Sequence, residues 1–165
     1  MEYAIRRAVS SDIKDIEEIF LDVILWMRRN KIENLWNEEN TSWEHISLSY
    51  KLDDFYILSV DGNKAGCIAI TDYDEKYWKD IPKGESLYVH KLAVKRSYAG
   101  MGLSGKLIDF AKDLARKRNI KNIRLDFNKK RDKLRKIYEK NGFRYEKEVS
   151  IDKKYSLYLY VCNLA

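Results

Sequence analysis

Gly100 and Gly102 stand in "SYAGMGLSGKL", directly before an apolar-striped helical run, in a 165-residue chain that has only seven glycines. Glycine costs backbone entropy, so a Gly-x-Gly at the mouth of a helix is expected where something must approach the main chain closely. Strand, glycine turn and helix together aim N–H groups and a positive helix end at an anion. Ser104 adds a hydroxyl donor. The competing reading is a plain tight turn. Neither the G-x-x-x-x-G-K-[ST] phosphate loop nor a G-x-G-x-x-G after the first strand is present.

Proton-handling groups lie on both sides of that turn. In "SLYVHKLAV" (86–94), Tyr88 and His90 alternate onto one strand face. A histidine, with an ordinary pKa of about 6.5, is able to take a proton at neutral pH. A partly buried structural histidine is the alternative, and Glu85 and His45 are weaker candidates, a loop charge and a residue at the entrance or in solvent. Tyr138, in "LRKIYEKNGF", falls on the stripe of Leu134 and Ile137 and reads from periodicity as a core tyrosine. The stretch "DYDEKYWKDIPKGE" (72–85) sets Asp72, Asp74, Glu75, Asp80 and Glu85 among Tyr73, Tyr77 and Trp78. With Trp26, Trp36 and Trp43 this is either a surface for a cationic amine or a solvated acidic loop with aromatic anchors.

Regular elements must position these groups. "YAIRRAV" (3–9) alternates as a strand. Ser10 and Asp12 then open a helix whose stripe is Ile13, Ile16, Ile19, Phe20, Val23, Ile24 and Met27. A shorter helix is expected over 42–51. "FYILSV-DGNK-AGCIAI" predicts a hairpin on Asp61-Gly62, and 86–94 a central strand, apolar on both faces. Leu103, Leu107, Ala111 and Leu114 stripe the helix after the glycine turn. A strand over 122–127, a helix over 131–140 ended by Asn141-Gly142, and two antiparallel strands complete the chain. The order β-α-α-β-β-β-α-β-α-β-β predicts an α/β fold with a mixed sheet, in a single domain over 1–165.

Composition narrows the class. Apolar content of 45% excludes disorder, and no stretch reaches the roughly 18 apolar residues of a membrane span. The N-terminus is too polar for a signal peptide. Cys67 and Cys162 are too few for a metal cluster or disulfide framework, and are expected as reduced thiols inside strands of a cytoplasmic protein; no metal is expected. Residues 112–154 carry 17 Lys/Arg against 7 Asp/Glu, while the rest carries 15 against 19. A basic face for a polyanion, or plain solubility, explains this equally.

"LAVKRSYAGMGLSGKLIDFA", followed about 30 residues later by "LRKIYEKNGF", resembles the GNAT N-acetyltransferases, and so does the element order over nearly the whole chain. The resemblance implies the acyl-CoA N-acyltransferase fold, acetyl-CoA as co-substrate, and a turn of pattern Q/R-x-x-G-x-G/A that holds the coenzyme A pyrophosphate. That pattern falls on Ala99, Gly100, Met101, Gly102, Leu103 and Ser104. Ala99 stands where Arg or Gln is usual and Ser104 where Gly or Ala is usual, while Gly102 is intact and the amides survive both changes.

Further roles come from the same resemblance. Acetyl transfer needs a neutral amine, donors for the carbonyl oxygen, and an acid for the departing thiolate. The resemblance puts Tyr138 beside the coenzyme sulfur as that acid, an ordinary phenol pKa of about 10 suiting an alkyl thiol. It puts the main chain of Leu92, Ala93 and Val94 along the pantetheine arm, on a strand that splays open. Some members carry a carboxylate at the position of Tyr88, and some carry histidines on this strand, one of which matches His90. The Asn common seven residues before the tyrosine is here Arg131, with Asn128 three residues earlier; either is a candidate for the pantetheine or the phosphates. The acceptor is a small or peptide amine, with no membrane or nucleic acid expected and a homodimer allowed. An idle acyl-CoA sensor and a basic nucleic-acid-binding domain are the alternatives.

Overall fold

The structure is a computed structural model and describes residues 1–164. The strands are β1 (Tyr3–Arg7), β2 (Phe55–Val60), β3 (Asn63–Thr71), β4 (Ser86–Val94), β5 (Asn122–Asn128), β6 (Arg144–Ser150) and β7 (Ser156–Asn163). The helices are α1 (Ile13–Arg29), α2 (Trp43–Ile46), α3 (Leu103–Lys117) and α4 (Asp132–Lys140). The seven strands order as β1-β2-β3-β4-β5-β7-β6 in a mixed sheet, with β4 parallel to β5 and the pairs β1·β2, β2·β3, β5·β7 and β6·β7 antiparallel.

The expected elements are present, with one shortened. The helix expected over 42–51 is a single turn, α2, capped by the Ser42 side chain and followed by a 3-10 turn at Leu52–Asp54. Helix α1 starts from Asp12, whose buried carboxylate accepts from the Arg6 guanidinium, the Lys64 ammonium and the Val9 amide. The Arg6 hydrogen bonds, followed by Lys64, hold that carboxyl well below its ordinary range.

The chain forms two compact units. In the first, Met1–Ala69 with Lys91–Leu107, the α1 stripe (Ile16, Ile19, Phe20, Ile24) packs with Phe55, Ile57, Cys67, Ala69 and Ala93. Trp36 lies edge-on to Phe20 at 5.2 Å and Trp43 edge-on to Phe55 at 5.6 Å. Trp36 and Trp43 therefore anchor the first core, the second of the two readings open to them from sequence. In the second unit, Ile70–His90 with Ile108 onward, Trp78 and Tyr88 pack with Leu157 and Leu159. A separate aromatic group there joins Phe127 to Tyr138 at 5.2 Å and to Tyr160 at 4.8 Å.

Candidate active site

Strand β4 ends at Val94, a 3-10 turn at Arg96–Tyr98 follows, and Ala99 is extended. Gly100 and Gly102 then take φ of +79° and +75°, a conformation that side chains rarely adopt, and α3 begins at Leu103. A Cβ at either glycine would meet no atom within 4 Å, so the protein's own packing does not require these glycines. Among the described residues, none of the N–H groups from Gly100 to Gly105 has a backbone acceptor. A row of donors at the N-terminus of a 15-residue helix is an anion cradle. The turn is tied down from before it: the Arg96 amide donates to Asp22 at 2.7 Å, and its guanidinium lies 3.7 Å above the Trp26 ring.

Upstream, Lys91 takes φ of +53° in the middle of β4, a left-handed residue inside a strand. Its carbonyl accepts from the Cys67 thiol at 3.7 Å, and burial pushes that thiol far above its ordinary range. A Cβ on Gly66 would lie 2.9 Å from the Ala93 carbonyl oxygen, so glycine is required where β3 passes this distortion. The β4·β5 ladder runs from Ser86↔Asn122 to Tyr88↔Arg124 and stops there, although β5 continues to Asn128. The ladder thus ends before Leu92, Ala93 and Val94, the residues that the family resemblance puts along the pantetheine arm.

Beyond the end of that ladder the second unit gathers titratable groups. His90 is partly buried and stacks with Tyr88 at 6.4 Å. Its Nε2 lies 3.8 Å from Oδ2 of Asp74, a buried carboxylate whose Oδ1 accepts from the amides of Lys76 and Tyr77. Asp126 on β5 joins them: one donor-accepting atom from each of Asp74, His90 and Asp126 lies within 4.8 Å of the others. Burial raises the Tyr88 phenol, with Arg124 opposing.

Tyr138 is buried in α4 against Phe127 and Phe143. Desolvation, and then the Asp126 charge, push its phenol well above the ordinary value, while Arg131 at the N-cap of α4 pulls it down. The near-match to a thiol expected from an ordinary phenol is thereby lost. The hydroxyl stays protonated throughout the neutral range and is a weaker acid than a free phenol. Asn128 is 9% exposed; its Oδ1 accepts from the Lys130 amide, and its Nδ2 has no partner.

Several expected site residues are thus redistributed. Of the five carboxylates over 72–85, Asp72 pairs with Lys83 and Asp74 turns inward, while Glu75, Asp80 and Glu85 are exposed, and Trp78 is buried beneath Arg124 and Lys147. Glu85 and His45 are exposed. Asp126 is the residue that sequence reasoning missed. Its signal was available: "NIRLDFN" buries Ile123, Leu125 and Phe127 on one face, so the polar face of a strand inside the sheet must line something.

The residues present fit a bound acyl-coenzyme A. The cradle in the first unit supplies main-chain donors for its phosphates. Among the described residues, no helix is long and apolar enough to cross a membrane.

Comparison with known proteins agrees with this geometry. The pattern that defines the Acetyltransferase (GNAT) family matches residues 13–143. The uncharacterised N-acetyltransferase YesJ of Bacillus subtilis is 25% identical over 144 residues, covering 84% of this chain and 79% of that protein. A GNAT-family acetyltransferase of Listeria monocytogenes shares the fold, with a TM-score of 0.78 at 23% identity over 99% of this chain and 96% of that one. N-acetylglutamate synthase of Neisseria gonorrhoeae, solved with coenzyme A and N-acetyl-glutamate, superposes with a TM-score of 0.70 at 19% identity, over 100% of this chain and 36% of that one. With its glycine cradle, the early end of its β4·β5 ladder and this family match, the chain belongs to the GNAT family of N-acetyltransferases and is an acyltransferase.

Proposed function

We propose that the chain uses acetyl-CoA to acetylate a primary amine of a small molecule or peptide, by direct transfer with both reactants bound together. The observation that carries this reading is the glycine turn, with its row of N–H groups that have no backbone acceptor. The relative solved with coenzyme A supports the same ligand class here.

Bound acetyl-CoA supplies a thioester acyl group and a thiol leaving group. The amides of Gly100, Met101, Gly102, Leu103 and Ser104, which follow Ala99, hold its pyrophosphate, and α3 adds its positive end. Main-chain N–H groups of Leu92, Ala93 and Val94 are assigned to the arm and to the acyl oxygen as it gains charge. Asn128 donates Nδ2 to a carbonyl of the arm, and Arg131 adds a positive charge for the phosphates. His90 accepts a proton from the amine, and Tyr138 holds a proton at its phenol oxygen for the departing sulfur. From a neutral amine one proton leaves nitrogen and one reaches sulfur; from the ammonium a further proton passes through His90 to solvent, so each turnover releases one proton. Two buried free thiols suit a reducing interior, and we place the protein in the cytoplasm.

Thiol release from acetyl-CoA across a broad amine panel tests this reading. Turnover with at least one primary amine is expected. Coenzyme A binding without turnover on any amine would instead mark an acyl-CoA sensor.

A further inference from the structure

Asp22 and Trp26 stand four residues apart, and so on one face of α1, outside its buried stripe of Ile16, Ile19, Phe20, Ile24 and Met27. Both reach the same residue of the first unit. The Asp22 carboxylate accepts from the Arg96 amide at 2.7 Å, across a separation of 74 residues. The Trp26 ring lies 3.7 Å from the Arg96 guanidinium carbon, and among the described residues the shielded Arg96 Nε has no hydrogen-bond partner. A cation over an indole, taken out of water, is a strong pair of its kind. Main chain and side chain of Arg96 are thus both gripped from α1. The grip passes onward through the turn. The Lys95 amide donates to the Ala65 carbonyl on β3, and the amides of Tyr98 and Ala99 donate to Lys95 and Arg96, closing the 3-10 turn. Gly100 and Gly102 follow, and glycine loses more backbone freedom on ordering than any other residue. Among the described residues, no N–H from Gly100 to Gly105 has a backbone acceptor, so this stretch is ordered from its two ends, α3 on one side and the held Arg96 on the other.

We propose that Asp22 and Trp26 are positioning residues for the co-substrate: by clamping Arg96 they hold the glycine turn in the form that receives phosphate. This rests on the acetyl-CoA reading and gives α1 a part in it. The Arg96 guanidinium is the partner in the clamp and not a ligand of the phosphates. With the clamp in place, the cost of ordering two glycines is met when the chain folds. Without it, the same cost falls on binding, and affinity drops. The loss is confined to the phosphate-bearing part of the ligand, because the clamp acts on no other. An interaction made equally before and during acyl transfer alters KM and leaves kcat.

The test titrates coenzyme A calorimetrically into the parent, Asp22→Ala, Asp22→Asn, Trp26→Ala and Trp26→Phe. Each Ala variant should bind coenzyme A about three- to ten-fold more weakly. Asp22→Asn keeps an oxygen for the Arg96 amide and Trp26→Phe keeps a ring for the guanidinium, so both should stay near the parent. In turnover, the Ala variants should raise KM for acetyl-CoA with kcat unchanged, while kcat/KM for S-acetylpantetheine, a donor without phosphates, should match the parent. Parent-like coenzyme A affinity in both Ala variants would overturn the clamp, and so would an equal loss with S-acetylpantetheine, which marks general loosening. A loss in Arg96→Leu that neither Ala variant shares would make Arg96 a phosphate ligand and overturn it too. All three results leave the transferase reading standing. Clamp-dependent coenzyme A affinity with no turnover on any amine would keep the clamp and end the transferase reading, and a parent that binds no coenzyme A would end both. Should Trp26→Ala fail to fold, the contrast of Asp22→Ala with Asp22→Asn still decides.

Discussion

Oδ2 of Asp74 stands 3.8 Å from Nε2 of His90, while Oδ1 of the same carboxylate is fixed by the amides of Lys76 and Tyr77. A neighbouring carboxylate favours the imidazolium over the neutral ring. Asp74, Asp126 and Tyr88 are among the groups facing His90. If His90 is the base, it works only when neutral, so the rate falls on the acid side. His90→Ala should lower kcat and flatten the acidic limb of the pH–rate profile. Asp74→Asn, which keeps an oxygen for the two amides, should move that limb to lower pH. Loss of rate with an unmoved limb would reduce Asp74 to a structural role.

Tyr138→Phe keeps the ring against Phe127 and Phe143 and removes only the hydroxyl. General-acid contributions are about 100- to 10,000-fold, so kcat should fall by roughly two orders of magnitude. Coenzyme A affinity should hardly change, because the hydroxyl acts as charge develops on sulfur. In the parent, the raised phenol pKa means that Tyr138 ionisation contributes no basic limb below about pH 10. A folded, fully active Tyr138→Phe enzyme would end the assignment.

Gly102→Val meets no steric clash, since a Cβ there contacts nothing within 4 Å, but it places a β-branched residue at φ +75°. The strain should cost about 1–3 kcal/mol and leave a folded protein. The rise in melting temperature produced by excess coenzyme A in the parent should disappear in this variant. An undiminished rise would remove the pyrophosphate from this turn.

Asp12 gives a pH dependence of stability. Its folded carboxyl is held below the ordinary range by Arg6, Lys64 and the Val9 amide, so the unfolded chain takes up the proton first. The stabilisation is present above about pH 4, where the unfolded carboxyl is also ionised, and is lost as pH falls further. Asp12→Asn should cost about 2–3 kcal/mol at pH 7 and flatten the acid side of a stability–pH curve. Denaturant midpoints between pH 2 and 7 check both the size and the sign.

Much of the fold is legible in local pattern. The α1 stripe, the Asp61-Gly62 hairpin and the Gly-x-Gly before α3 each announce themselves in a few neighbouring residues. The site is less legible because its chemistry depends on distant pairings. Asp74 in a loop, His90 on β4 and Asp126 on β5 converge only through the parallel ladder that sets β4 beside β5. The left-handed Lys91 has no side-chain signature, since lysine seldom takes that conformation and nothing adjacent marks it. Composition likewise hid the fate of the acidic loop, where Asp72 is neutralised by Lys83 and Asp74 turns inward.

The early end of the β4·β5 ladder carries a consequence for solubility as well as for chemistry. β4 and β5 are the fourth and fifth of seven strands, so the opening lies in the interior of the sheet order and not at either rim. Open backbone at a rim invites another chain to add a strand and begin aggregation. The rim strands are β1 and β6, so a template for strand addition lies there and not at the end of the β4·β5 ladder.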